Sequence, residues 1–362
     1  MKVLTAETMG WVDRTTIERG TPGIKLMRNA GQAVFEAISE TPGIARDTKI
    51  VVVAGKGNNG GDGFRVAELL KWHGYTVEVF LLGAFDSVRG DALTCLHGLE
   101  KPGCDVTQVE RISESETLES RIKSAGVIVD ALFGTGLKGE LTGLTAQAVD
   151  MINASDALVF AVDIPSGVNA GTGGVSEHTV RADRTVTFGC LKVGHVLFPG
   201  KSACGLVSVA DIGFSEEMLE TVEPFAHALV DAEAAALIPE RPFDAHKGSV
   251  GKVFVLAGSV GLTGAAALSS MAALRVGAGL VTLGCPASLN DILEVKLTEV
   301  MTLPLPEVRK KRCLSLRALG QVRERTKDAD VTAVGPGLGS YHETADLVRR
   351  FLSKYRGTVV LD

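Results

Sequence analysis

Long apolar runs, cysteine pairs, surplus basic charge and aromatic rings are all scarce in this 362-residue chain, and each scarcity removes a class of protein. No stretch has the length of a membrane span, and Met1-Lys2-Val3-Leu4-Thr5-Ala6-Glu7 carries no apolar signal core. The six cysteines (Cys95, Cys104, Cys190, Cys204, Cys285, Cys313) are scattered without a C-x-x-C pair. They read as reduced packing residues of a cytoplasmic protein, not as a disulfide framework or a metal site. With a formal net charge of −6, nothing invites nucleic acid or another polyanion. Aromatic residues are 5% of a chain that is 45% hydrophobic and rich in Gly and Ala, the balance of a soluble α/β enzyme.

Two nucleotide motifs are missing as well. No Lys-Ser or Lys-Thr follows a glycine at Walker A spacing. Gly55-Lys56-Gly57-Asn58-Asn59-Gly60 spells G-x-G-x-x-G, but the next strand ends Phe80-Leu81-Leu82-Gly83 without the acid that would bind a ribose. A conventional NAD site is therefore disfavoured.

What is present is a strand, a glycine-rich turn and a helix. Lys49–Val53 is a β-branched run, and Phe64–His73 has Val66, Leu69, Leu70 and His73 at helical spacing. Between them lies Ala54-Gly55-Lys56-Gly57-Asn58-Asn59-Gly60-Gly61-Asp62-Gly63. Unpartnered N–H groups at a helix start favour an anion, and glycines permit positive φ and close approach. The amide pair Asn58-Asn59 and the acid Asp62 exceed what a plain turn needs, although Asn and Asp are ordinary turn residues.

Around this element, strands and helices alternate. Thr5–Arg19 and Gly23–Ser39 read as helices. Strands are expected at Thr76–Leu82, near Val106, and at Val127–Ala131, Ala157–Val162, Arg184–Phe188 and Leu206–Asp211. The order argues a mostly parallel, doubly wound sheet with ligands at its strand C-terminal ends. A first domain over 1–220, a linker over 221–244 holding Pro239-Glu240-Arg241-Pro242, and a second α/β domain over 245–362 follow. In that second domain strands are expected at Lys252–Ala257, Leu280–Gly284, Val331–Val334 and Thr358–Leu361, with an exposed basic helix around Arg309–Arg325. The chain stops on a core strand, so it reads as a fragment.

Two carboxylates stand just past strands on the same edge. Asp130 precedes Ala131-Leu132-Phe133-Gly134-Thr135-Gly136-Leu137-Lys138-Gly139-Glu140, and Asp163 precedes Ile164-Pro165-Ser166-Gly167. One such acid alone is more often a loop cap. Two acids and two glycine-rich segments converging on one edge favour a site, because a desolvated carboxylate needs a partner. The Asn59 amide, Asp130 carboxylate and Ser166 hydroxyl are hard oxygen ligands suited to an alkali or alkaline-earth cation.

Gly57-Asn58-Asn59-Gly60-Gly61-Asp62-Gly63, Val129-Asp130-Ala131-Leu132-Phe133-Gly134-Thr135-Gly136-Leu137 and Val162-Asp163-Ile164-Pro165-Ser166-Gly167 together resemble NAD(P)H-hydrate epimerase. Leu26-Met27-Arg28-Asn29-Ala30-Gly31 and Thr187-Phe188-Gly189, Lys192-Val193-Gly194-His195 and Pro199-Gly200 fit the same family, over roughly residues 1–213. The resemblance implies a Rossmann-like three-layer fold and a substrate, NADHX or NADPHX, that is hydrated at nicotinamide C6 and interconverted between R and S epimers. It implies substrate contacts from Asn58, Asn59, Gly60, Gly61 and Asp62, and from Gly134, Thr135, Gly136, Leu137, Lys138, Gly139 and Glu140. It further implies a potassium ion on Asn59, Asp130 and Ser166, and Asp163 at the reacting centre. Asp163 is the expected acid–base group and Lys138 the reserve.

His246-Lys247-Gly248-Ser249-Val250-Gly251-Lys252, Gly261-Leu262-Thr263-Gly264-Ala265 and Val334-Gly335-Pro336-Gly337-Leu338-Gly339 resemble, in this order, the ADP-dependent NAD(P)H-hydrate dehydratase, which is ribokinase-like. Gly264, Ala265 and Gly337 are its implied contacts to the hydrated nicotinamide. The family's later nucleotide-binding segment and catalytic aspartate have no counterpart before Asp362, so ADP-dependent dehydration is expected to be incomplete. The competing readings are a ribokinase-class small-molecule kinase, from the second half alone, and a non-catalytic protein binding nucleotide or a partner. The oligomeric state is open, a homo-oligomer included.

Overall fold

A computed structural model describes residues 1–137 and 139–362. The chain divides into two compact units, Met1–Ala235 and Ala236–Asp362. Among the described residues no helix is long and apolar enough to cross a membrane.

The first unit is built on a parallel sheet whose strands are β2 (Lys49–Ala54), β3 (Thr76–Leu82), β4 (Val106–Val109), β5 (Val127–Ala131), β6 (Leu158–Val162), β7 (Arg184–Phe188) and β9 (Leu206–Ala210). Their spatial order is β4-β3-β2-β5-β6-β7-β9, every described pairing parallel. The run Ile50-Val51-Val52-Val53-Ala54 is apolar without alternation because both faces of β2 are covered. Ile50, Val52 and Ala54 pack into one core and Val51 and Val53 into another. The helices are α1 (Ala6–Glu18), α2 (Gly23–Ser39), α3 (Asn58–Trp72), α4 (Gly90–Gly98), α5 (Glu116–Ser124) and α6 (Gly143–Asn153). The expected doubly wound α/β architecture is therefore present. Strand order reverses between β2 and β5, which opens the crevice where such folds bind ligands.

A second, small sheet joins distant parts of the unit. Strand β1 (Lys2–Leu4) runs parallel to β8 (Leu191–Lys192) and antiparallel to β10 (Ala226–His227). Residues 226–227, within the stretch expected to be linker, thus belong to the first unit's own fabric.

The glycine-rich stretch differs from expectation. Asn58–Gly63 is not a turn preceding the helix; α3 begins at Asn58, with Gly57 as its N-cap. Nor do Gly55, Gly57, Gly60, Gly61 or Gly63 take positive φ. Their use is proximity. A Cβ on Gly60 would lie 1.7 Å from the Gly55 carbonyl oxygen, and one on Gly61 would lie 2.6 Å from Met27 Sδ. Only glycine lets α3 start this deep beneath α2 and against the end of β2.

The second unit carries a parallel sheet in the order β13-β12-β11-β16-β17, from β11 (Lys252–Leu256), β12 (Leu280–Pro286), β13 (Met301–Leu305), β16 (Val331–Val334) and β17 (Thr358–Leu361). The basic helix expected around Arg309–Arg325 is largely a hairpin. β14 (Glu307–Val308) pairs antiparallel with β15 (Cys313–Leu314), and the helix proper is Leu319–Arg325. The charges fill the turn, where the N–H groups of Lys311 and Arg312 both donate to the Val308 carbonyl. Buried Cys313 and Leu314 hold the return strand.

Candidate active site

At the crevice between β2 and β5 lies a cavity of about 900 Å³, within the usual size of a small-molecule site. Its floor is the Gly55–Asn59 segment with Asp62, one wall is Leu132–Leu137, and α1 and α2 close it with Met9, Asp13, Leu26 and Met27. The first N–H groups of α3 have no intrahelical partner, so an anionic group placed over Asn58 meets free donors and the positive end of the helix. Asn58, Asn59, Asp62 and Gly134–Leu137 line the cavity as expected. Gly60 and Gly61 are not among the residues lining the cavity; they let the helix approach, as described above.

Beneath the floor, Asp130 is fully buried. Its Oδ2 accepts the Ser166 N–H at 2.8 Å, and its Oδ1 accepts the Ser166 hydroxyl at 2.7 Å and the Leu132 N–H at 3.2 Å. Ser166 Oγ in turn accepts the Phe133 N–H at 2.9 Å. Burial nevertheless pushes Asp130 up to about 6, the bonds from Ser166 and Leu132 opposing it. Among the described residues no side chain forms an ion pair with Asp130. Asn59 adds a second unmet demand: its Nδ2 is buried without a hydrogen-bond partner, while its Oδ1 faces Gly134, 3.1 Å from where a Cβ would sit. A half-turn of that amide exchanges its two ends at little steric cost. An uncompensated carboxylate, a hydroxyl and an unsatisfied amide form a donor set that fits a hard cation, alkali or alkaline-earth.

Asp163 closes the far side. It holds φ +66 outside glycine, a sparsely populated conformation, at the centre of a three-residue γ-turn in which Ile164 N–H donates to Val162 O at 2.8 Å. Asp163 Oδ1 accepts Lys192 Nζ at 2.7 Å and Thr187 Oγ1 at 2.9 Å. Burial alone would raise this carboxyl, but the Lys192 charge and hydrogen bond outweigh it and hold Asp163 below the ordinary carboxylate range. Its Oδ2 looks toward Gly134, 3.4 Å from a Cβ placed there.

Asp62 has the opposite character. Burial, reinforced by the charges of Asp163 and Asp13, raises it well above the ordinary carboxylate value. One cavity thus holds a carboxyl held below the ordinary range and another pushed above it, the divergence that acid–base chemistry uses. Asp13 on α1, also raised by burial, lines the same space.

Other expected residues fall elsewhere. Glu140 Oε2 is taken by Ser176 Oγ at 2.7 Å and Glu177 N–H at 3.0 Å, so this carboxylate caps the 176–177 turn. Neighbouring Gly139 holds φ +88, a turn conformation suited to glycine. Lys138 lies outside the described residues. Gly264, Ala265 and Gly337 belong to the second unit. A Cβ on Gly337 (φ +68) would meet Leu262 O at 2.7 Å and Ala265 Cβ at 3.1 Å, whereas one on Gly264 would meet nothing within 4 Å. Lys192, Thr187 and His195 went unassigned in the sequence, though a lysine between Leu191 and Val193-Gly194, in an apolar setting, is the signal that could have marked them.

Residues 23–194 match the YjeF-related protein N-terminus family model, and residues 253–362 match that of NAD(P)H-hydrate dehydratase. A bifunctional NAD(P)H-hydrate repair enzyme of Moorella thermoacetica is 40% identical over 364 residues, covering 100% of this chain and 68% of that protein. One from Salinibacter ruber is 36% identical, covering 99% of this chain and 68% of the relative. This chain therefore spans about two thirds of the length of these relatives. Among solved structures, yeast ynu0 superposes with a TM-score of 0.52 at 23% identity, over 64% of this chain and 98% of the yeast chain, a likeness of fold.

Proposed function

The chain belongs to the bifunctional NAD(P)H-hydrate repair enzymes, and from that premise we propose that its first unit interconverts the R and S epimers of hydrated NADH and NADPH at nicotinamide C6. What carries the reading is the cavity at the strand-order reversal, where the amide-rich start of α3 faces the open oxygen of Asp163. The first supplies donors for the dinucleotide's phosphates, the second a base at the ring. In this reading Asn58, Asn59 and the Gly134–Leu137 segment hold the substrate. Loss of the C6 hydroxyl as water takes a proton from neutral Asp62, and re-addition on the other face gives one to ionised Asp163. Lys138 is the reserve for either role. The second unit belongs with the dehydratase half of the repair reaction, for which ADP is the co-substrate. The six cysteines, all buried and unpaired among the described residues, fit a reducing cytoplasmic setting.

The test is incubation with an R/S mixture of NADHX, without and then with ADP, followed by separation of the epimers. Interconversion without ADP is the expected result. An R:S ratio that stays where it started overturns the epimerase reading, and ADP-dependent return of NADH reads the second activity separately.

Potassium fits the Asn59, Asp130 and Ser166 donor set. Bound there, it supplies charge compensation to a carboxylate that otherwise has none. Replacing potassium by tetramethylammonium should slow epimerisation about tenfold or more, an effect on the order of one charge-assisted contact of ~1.5–3 kcal/mol. Asp130→Asn keeps the size and removes the charge, so it should flatten the salt dependence. Equal rates in both salts for the parent protein would count against the ion.

A further inference from the structure

Asp163 is held by more than its own turn. Three side chains from one short segment converge on it. Thr187 Oγ1 and Lys192 Nζ both bond Oδ1, and His195 Nε2 lies 2.9 Å from the Asp163 main-chain oxygen. The histidine's tautomer follows from its other nitrogen: Nδ1 accepts the Lys192 N–H at 2.9 Å, so Nε2 carries the proton and donates. Lys192 is 1% exposed, and all three of its protons are placed, on Asp163 Oδ1, on Thr187 Oγ1 at 2.7 Å and on the Phe188 carbonyl at 3.0 Å. A buried ammonium is retained at a large desolvation penalty, and here two of its three bonds go to one carboxylate oxygen and to the hydroxyl that also bonds it. The arrangement leaves Oδ2 as the one Asp163 oxygen facing the cavity.

We propose that Thr187, Lys192 and His195 form a three-point clamp that fixes the aim of Asp163, with Lys192 the positioning residue that reserves Oδ2 for the substrate. The inference rests on the reading of Asp163 as the proton-transfer group. Lys192 acts through Asp163: its protons are all spoken for, so it has none to offer the nicotinamide ring. His195, pushed down to about 4 by burial and by the Lys192 charge, stays neutral and serves the main chain. The charged or titratable groups facing Asp163 are therefore Lys192 and His195 from its clamp, Asp62 from α3 and Asp13 from α1.

The experiment compares the parent protein, Lys192→Met and Thr187→Val. Epimerisation is followed for kcat and KM across pH, and Asp163 is titrated by carbon-13 NMR of labelled aspartate, its resonance assigned by its loss in Asp163→Asn. Lys192→Met should lower kcat about a hundredfold with KM little changed. It should also move the Asp163 titration and the acid limb of the rate profile up by about 1–3 pH units, since the cation that favours ionisation is gone. Thr187→Val, which keeps the fold if Lys192→Met does not, should move both in the same direction by less. Unchanged titration of Asp163 in whichever of the two variants folds overturns the clamp, as does a loss confined to KM. Full epimerisation by Asp163→Asn would instead remove the reading beneath it, while the shift in the NMR titration would still report the clamp itself.

Discussion

Asp163→Asn should turn over NADHX about 10²–10⁴ times more slowly than the parent, with KM nearly unchanged. The substitution keeps the side chain's shape and can keep an oxygen toward Lys192 and Thr187, so the γ-turn and the cavity wall survive. It removes the one group in the cavity that Lys192 keeps ionised. Because Asp163 is held below the ordinary carboxylate range, the parent's rate should persist to acid pH and fall only as that carboxyl takes up its proton. On the alkaline side the rate should fall as Asp62, raised well above the ordinary value, loses its own. Separate measurement of kcat and KM across pH checks both limbs. Should Lys138→Ala prove the variant that binds but does not turn over, the roles pass to that lysine.

Gly60→Ala should unfold or displace the start of α3 although it adds one methyl group. The added carbon would lie 1.7 Å from the Gly55 oxygen and 2.7 Å from its carbonyl carbon, main-chain atoms anchored at the end of β2 that have no rotamer to change. Overpacking of this kind costs typically 1–3 kcal/mol and occasionally more. Here it also shifts Asn58 and Asn59, so epimerisation should be lost along with stability. Gly57→Ala is the control: its φ is −91 and nothing lies within 4 Å of its Cβ position, so its denaturant midpoint should stay close to the parent's. Equal stability of the two variants would mean that Gly60 does not set the depth of α3.

The parallel, doubly wound sheet, the buried β2 and the convergence of Asp130 and Asp163 on one sheet edge were legible in the sequence, from apolar runs alternating with helices and, for the two acids, runs ending in an acid. The purpose of the glycines was legible only in part. Composition shows that a chain can approach closely, but not that Gly60 meets Gly55 within a single turn of structure. The clamp was not legible at all. Lys192 lies on β8 and Asp163 in the turn after β6, and nothing in local periodicity says which acid a buried lysine will meet. Nor could the sequence show that Glu140, beside Gly139, takes its hydrogen bonds from residues 176 and 177. The Arg309–Arg312 charges look helical in sequence, and only the burial of Cys313 and Leu314 on the return strand reveals the hairpin.

The small β1–β8–β10 sheet bears on when the site can exist. Leu4 is registered against Lys192, and Val3 against both Leu191 and Ala226, so the strand bearing the lysine is braced by residues made long before it, which pair on their other edge with β10. During synthesis α3 and the central strands can pack as they emerge, each with a neighbour close in sequence. The counter-charge of Asp163 has to wait until residues 191–192 are free to pair with β1, a strand far from them in sequence. Ligand affinity should therefore be the last property this unit acquires as it folds. An intermediate that already shows the far-ultraviolet signature of the parallel sheet would still leave Asp163 without its lysine.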